Sequence, residues 1–205
     1  MIARNRVIAI KIAKENVARF NDRVGAKLDK EQYRLAKKLR KPRNEDPFES
    51  LLSLYQYVDR VYSHTSGLVA CTRGCSYCCH IPVQLTRLEV AYIASRIGSE
   101  VHEPLVSIGH APAPKAPDPA RPCPFLRNQE CSIYEHRPLS CSTHVNFEPT
   151  NEVCSFQHDG TENALLIDRE RSFPAVLKTL SSLGGEEGSR ICEIRDYIVA
   201  PRTTR

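Results

Sequence analysis

Apolar residues recur at helical spacing between Phe48 and Tyr62, where Phe48, Leu51, Leu52, Tyr55, Val58 and Tyr62 form one stripe. Asp46 is placed to cap this helix, Pro47 suits its first position, and Glu49 completes a capping-box spacing. A second amphipathic helix is predicted after Thr86. Thr86 and Glu89 form another capping box, Leu88, Ala91, Ile93, Ala94 and Ile97 supply the apolar side, and Gly98 can end it. Upstream, residues 1–41 read as helix, rich in Ala, Lys, Arg and Glu and free of Pro, with Ile8, Ile12, Phe20 and Leu28 as anchors. That pattern is loose and fits an arm that orders on contact. Pro42 closes it. Toward the C-terminus, the stretch from Phe173 to Leu183 predicts a helix that Gly184-Gly185 ends, and Ile191, Ile194, Tyr197 and Ile198 again repeat at helical spacing.

Between the helices the pattern changes. Ile81-Pro82-Val83 reads as a short extended piece. Ser99 to Pro122 holds six prolines, which resist helix and sheet alike, so this is an exposed irregular loop with His102 and His110 as surface imidazoles. Cys123-Pro124-Phe125-Leu126 and Cys131-Ser132-Ile133-Tyr134 flank Arg127-Asn128-Gln129-Glu130, which predicts a short hairpin with a cysteine on each strand. A turn through His136-Arg137-Pro138-Leu139-Ser140-Cys141 and a polar loop then lead to Cys154. The expected architecture is mainly α with a small β-hairpin and a Pro-rich loop, the helices packed around a cysteine-ligated metal site. Residues 1–44 form a basic, helical N-terminal arm. Residues 45–200 form a single metal-binding domain whose cysteine core spans 67–158.

Composition adds three constraints. The 205 residues, 41% of them apolar, suffice for one domain and an appendage. Val7-Ile8-Ala9-Ile10 is broken by Lys11 and Lys14, too short a run for a signal peptide or membrane span, so a cytoplasmic protein with no membrane contact is expected. The net charge of +5 is uneven: residues 1–44 hold 14 Lys or Arg against four Asp or Glu, and the remainder 15 against 20. The basic arm is thus a candidate contact for a protein or nucleic-acid partner, although no nucleic-acid reader motif accompanies it and a solvated helical face is the commoner explanation of such charge.

Cysteine placement determines the chemistry. Four of nine cysteines lie in Cys71-Thr72-Arg73-Gly74-Cys75-Ser76-Tyr77-Cys78-Cys79-His80. In a reducing compartment such a cluster points to metal ligation or redox chemistry before disulfides, and the odd total agrees. Were the segment helical, Cys71, Cys75 and Cys78 would line one face with Cys79 at its flank. As a loop, which Gly74 suggests, Cys78 and Cys79 would point apart. Eight cysteines, Cys71, Cys75, Cys78, Cys79, Cys123, Cys131, Cys141 and Cys154, are numerically enough for two four-thiolate sites. Such sites suit zinc, iron or an iron–sulfur centre, and suit calcium or magnesium poorly. His80, His136 and His144 are substitute ligands. Arg73 and Arg137 can offset thiolate charge. Cys192 stands apart as a buried thiol.

Cys71xxxCys75xxCys78 resembles the cluster loop of radical S-adenosylmethionine enzymes, and Gly184-Gly185-Glu186 resembles their glycine-rich element. Here, however, a helix precedes the cysteines, the glycines lie over a hundred residues away, and no alternation of strands and helices supplies a barrel. A broader match runs through Gly74-Cys75-Ser76-Tyr77-Cys78-Cys79, Cys123-Pro124-Phe125-Leu126, Cys131-Ser132-Ile133-Tyr134, Arg137-Pro138-Leu139-Ser140-Cys141 and Cys154. In this order the motifs resemble the YkgJ-type cysteine-cluster family, also called the CxxCxxCC zinc- or iron-chelating domain. The resemblance covers roughly residues 67–158. It implies metal chelation by the matching cysteines, with iron–sulfur assignments also used in that family, and it implies no defined reaction. An iron–sulfur redox protein or oxidoreductase, and a zinc-stapled interaction module with a basic arm, are the alternative functions.

Overall fold

The structure is a computed structural model and describes residues 2–40, 46–72, 74–101, 117–156, 172–196 and 199–201. Most of the Pro-rich loop, with His102 and His110, lies outside the described residues, as do Arg73, Tyr197 and Ile198. The described regular structure is mainly helical, with three small two-stranded antiparallel sheets.

Helix α1 spans Ile2–Leu39 and is broken at Gly25, whose backbone at φ 57° and ψ 173° suits a residue without a side chain. Its N-terminal half buries Ala13 and Phe20, and Phe20 meets Phe147 with ring centroids 5.5 Å apart. Asn16 Nδ2 donates to Phe147 O at 3.0 Å, and Arg6 pairs with Glu148. Beyond the break, buried Gln32 accepts from Ala175 N (3.3 Å) and donates to Ser172 O (3.2 Å). The basic segment therefore packs along the body, with Arg23 donating to His64 O and Ser66 O at the end of the next helix.

That helix, α2 (Pro47–Ser63), starts as the sequence predicts: Asp46 accepts from Phe48 N at 2.9 Å and Pro47 occupies the first turn. Its buried face is Leu51, Leu54, Tyr55, Tyr57, Val58 and Val61, so the stripe is rotated from the predicted one: Leu52 and Tyr62 are half-covered, and Leu54 and Tyr57 are inside. Helix α3 (Arg87–Ile97) follows strand β1 (Gln84–Thr86) directly. It carries the full reciprocal Thr86–Glu89 capping box and ends on left-handed Gly98.

Strand β2 is Ser99–Val101, and the predicted hairpin forms from β3 (Leu126–Arg127) and β4 (Glu130–Cys131). Asn128 and Gln129 turn it with φ of 50° and 65°. Of the two hairpin cysteines, Cys131 is on a strand and Cys123 is not. Cys123 precedes β3, in a turn closed by Leu126 N donating to Cys123 O, because the strands are just two residues long.

Helix α4 is Leu139–Ser142, α5 is Pro174–Leu180 and α6 is Gly185–Gly188. The predicted helix to Leu183 thus stops early, and Gly185 opens a helical turn where a terminator was expected. Ile191 and Ile194 are not helical: Ile191–Glu193 forms β5, which pairs antiparallel with β1 and sets Cys192 opposite Leu85. Strand β6 (Val199–Pro201) pairs with β2. The core gathers Leu51, Tyr57, Leu68, Ile93, Leu139, Phe147 and Phe173 from segments far apart in the chain. No helix among the described residues is long and apolar enough to cross a membrane.

Candidate metal centre

After α2 the chain runs through buried Leu68 to Ala70, whose N–H donates to Asn146 O at 2.9 Å. Asn146 returns the contact: its backbone N–H donates to Cys71 Sγ at 3.3 Å. Gly74, at φ 85°, then turns the chain, and Tyr77–His80 forms a single 3₁₀ turn carrying Cys78 and Cys79. The cluster is therefore not one face of an α-helix.

The second half of the cluster is fastened to this turn. Cys123 N donates to Cys79 O at 2.7 Å, and Ser76 Oγ bonds Gln129 at the hairpin tip. Cys131 lies opposite Leu126 on the hairpin. Cys141 sits on α4, and a buried carboxylate fixes that short helix. Glu89 Oε1 accepts from Leu139 N (2.8 Å) and Tyr55 Oη (3.0 Å), while Oε2 accepts from Thr86 N (2.8 Å). Ser140 Oγ donates to Gln84 O at 2.6 Å. One carboxyl group thus caps α3, holds α2 through Tyr55, and satisfies the first amide of the helix that carries Cys141.

The segment between Cys141 and Cys154, read from sequence as a polar loop, is buried over Val145, Asn146, Phe147 and Glu148. Phe147 is inserted between α1 and the core, which leaves Asn146 facing the thiols. Its Nδ2 donates to Cys154 Sγ at 3.6 Å and to Thr150 O at 3.3 Å, and its Oδ1 accepts from Glu148 N at 2.9 Å. Sequence reasoning did not single out Asn146. The available signal was its position between Val145 and Phe147, an apolar alternation in an otherwise polar stretch.

The eight clustered cysteines form no disulfide. Their mutual electrostatics define the neighbourhoods. Cys154 is held up to about 11 by burial, reinforced by Cys75, Cys71 and Cys78. Cys123 is likewise pushed up to about 11 by burial, with Cys131 adding to it. Cys141 is raised well above the usual thiol range by burial and then by Cys123, Cys78 and Cys131. Cys78 is raised by its hydrogen bond with Cys79 and by burial. Cys71 and Cys131 are raised chiefly by burial. Arg137 opposes these shifts at Cys71, Cys78, Cys131 and Cys141, and stacks 4.0 Å over the Tyr134 ring.

The histidines are differently engaged. His80 turns Nδ1 toward Asp118 O at 3.4 Å and packs on Phe156, and the His136 ring stands edge-on to Tyr92. Cys192 is buried on β5, with Sγ 3.8 Å from Arg190 O. Among the described residues, no three His, Cys, Asp or Glu side chains stand in metal-holding geometry. As a donor class, thiolates nevertheless suit a thiophilic ion such as zinc or iron.

Neither the curated proteins nor the solved structures compared with the chain include a match. Residues 70–158, which contain all eight of these thiols, match the family model described as "CxxCxxCC: Putative zinc- or iron-chelating domain", and in this stretch the chain is similar to that metal-chelating family.

Proposed function

We infer that this protein binds zinc or iron through the thiolates of Cys71, Cys75, Cys78, Cys79, Cys123, Cys131, Cys141 and Cys154, in a reducing, cytoplasm-like compartment where those thiols stay free. The observation that supports this is the meeting of two distant segments: Cys123 N donates to Cys79 O at 2.7 Å, and Asn146 donates to Cys71 Sγ at 3.3 Å and to Cys154 Sγ at 3.6 Å. The metal is structural as well as bound, because the described regular structure of residues 117–156 is only two two-residue strands, a three-residue 3₁₀ turn and a four-residue helix. Elemental analysis with an anaerobic visible spectrum of the full chain tests the proposal. Zinc gives a colourless protein with bound metal, and an iron–sulfur centre gives a brown one that absorbs in the visible. Protein that retains neither metal, and takes up neither on reconstitution under reducing conditions, overturns it.

The raised thiols make binding pH-dependent. Cys123 and Cys154, near 11, are protonated at neutral pH, and each must release its proton for sulfur to ligate. Affinity therefore rises with pH throughout the range below those values. A competition titration from pH 6 to 8 is expected to give about two to four protons released per ion. A pH-independent affinity would contradict thiol ligation.

A further inference from the structure

We propose that the outward face of α1 beyond Gly25 binds single-stranded nucleic acid, with Lys27, Lys30, Arg34, Lys37 and Lys38 meeting phosphates and Tyr33 stacking against a base. The proposal is independent of the metal-binding reading.

Burial on the other side of the segment fixes which way it faces. Leu28, Leu35 and Leu39 pack against the core, Gln32 and Ala36 are buried, and Tyr57 Oη donates to Leu28 O at 3.0 Å. At about 100° per residue, the five cations and Tyr33 then share an arc of about 140° on the opposite side, spread over about 16 Å of helix axis. All six residues are exposed, Tyr33 by 54%. On the helix surface Tyr33 neighbours Lys30 in the preceding turn and Lys37 in the next.

The segment's two acids lie outside this arc and are already engaged. Glu31 pairs with Arg60 of α2, and Asp29 Oδ1 accepts from Gln32 Nε2 at 2.7 Å. Among the described residues, none of the five cations has an ion-pair partner. A helical face that is merely solvated typically alternates its charges. This one carries a single sign, turned away from a body in which acids outnumber bases by 20 to 15.

Positive charge so arranged complements a phosphate backbone. Two features select nucleic acid over an anionic membrane. Between residues 26 and 40 no aliphatic side chain larger than alanine is exposed, so the face has nothing to bury below lipid headgroups. The Tyr33 ring instead offers a flat surface of the kind on which bases stack, with a cation on either side for the adjoining phosphates. Stacking on it requires an unpaired base, which selects a single strand over a duplex.

Fluorescence anisotropy with labelled oligouridylate and oligothymidylate of about 12 nucleotides, titrated with the full chain, tests this. Binding of one or both is expected, and five phosphate contacts predict that log K falls with log salt at a slope of about −3.5. Lys30→Gln with Lys37→Gln should flatten that slope by about 1.4. Tyr33→Ala should weaken binding by about 5–150-fold with the slope retained, and Tyr33→Phe should restore it. These side chains are exposed, so helical circular dichroism and metal content should be unchanged, and failure here leaves the metal-binding reading standing. No binding at about 50 mM salt, binding indifferent to salt, or tighter binding of the matching duplex overturns the proposal. So does an equal loss from Lys11→Gln with Lys14→Gln, exposed cations ahead of Gly25, which would mean a response to net charge alone. Association with phosphatidylserine-containing vesicles but with neither oligonucleotide would assign the face to a membrane and refute the proposal.

Discussion

Replacing Glu89 with alanine is expected to cost about 4 kcal/mol of stability, among the larger effects a single substitution can have. The carboxylate accepts from Leu139 N, Tyr55 Oη, Thr86 N and Thr86 Oγ1, and Glu89 is 1% exposed. Alanine leaves Leu139 N and Tyr55 Oη buried without this acceptor, at about 1–3 kcal/mol each, and removes half of the capping box. Glutamine preserves the shape but turns an amide N–H₂ toward donors, so an intermediate loss is expected. The pH dependence has a definite sign. Burial raises the Glu89 carboxyl above its ordinary 4.5. The unfolded chain therefore releases this proton first, and the group's contribution, complete below pH 4.5, falls as pH rises through the folded value. Urea unfolding of the parent and Glu89→Gln at several pH values should show this component in the parent alone. A loss below about 1 kcal/mol for Glu89→Ala would refute the anchoring role.

The second large effect concerns metal removal. A chelator is expected to loosen residues 117–156 before α2 and α3, with faster proteolysis in that segment and a lower Tm. If the ion is present at about 1,000 times its Kd, its loss removes about 4 kcal/mol, which for a chain of this size is about 8–16 °C in Tm. Cys78→Ser should reproduce much of this, because Cys78 sits on the turn whose Cys79 O accepts from Cys123 N, where the two cysteine segments meet. Protease resistance and Tm unchanged after verified removal of all metal would exclude coupling between binding and folding.

Features fixed by neighbouring residues were legible in the sequence. The Asp46 cap, the Thr86–Glu89 box, Gly98 and the hairpin turn each need only a few adjacent positions. The cysteine motifs were legible because sulfur in such density has few other uses. Features fixed by distant partners were not. Ile191 and Ile194 have helical spacing, yet three-residue β5 is a strand because β1 stands ready to pair with it, and three residues are too few to display alternation. Glu89 was read as a cap, and its bond to Leu139, fifty positions away, is a tertiary fact. Asn146 escaped for the same reason: an isolated asparagine has no pattern, and its function is defined by the two sulfurs it meets only after Phe147 is buried.

The break at Gly25 divides the labour of the long first helix. Its leading half grips Phe147 and Glu148, the residues next to Asn146, whereas its trailing half grips Ser172 and Ala175. Any tightening at Cys71 and Cys154 therefore has a short mechanical route to the leading half and none of comparable directness to the trailing one. Amide deuterium uptake should register ion loading upstream of Gly25 and hardly at all downstream, which makes the first half of this basic helix a gauge of what the sulfurs hold.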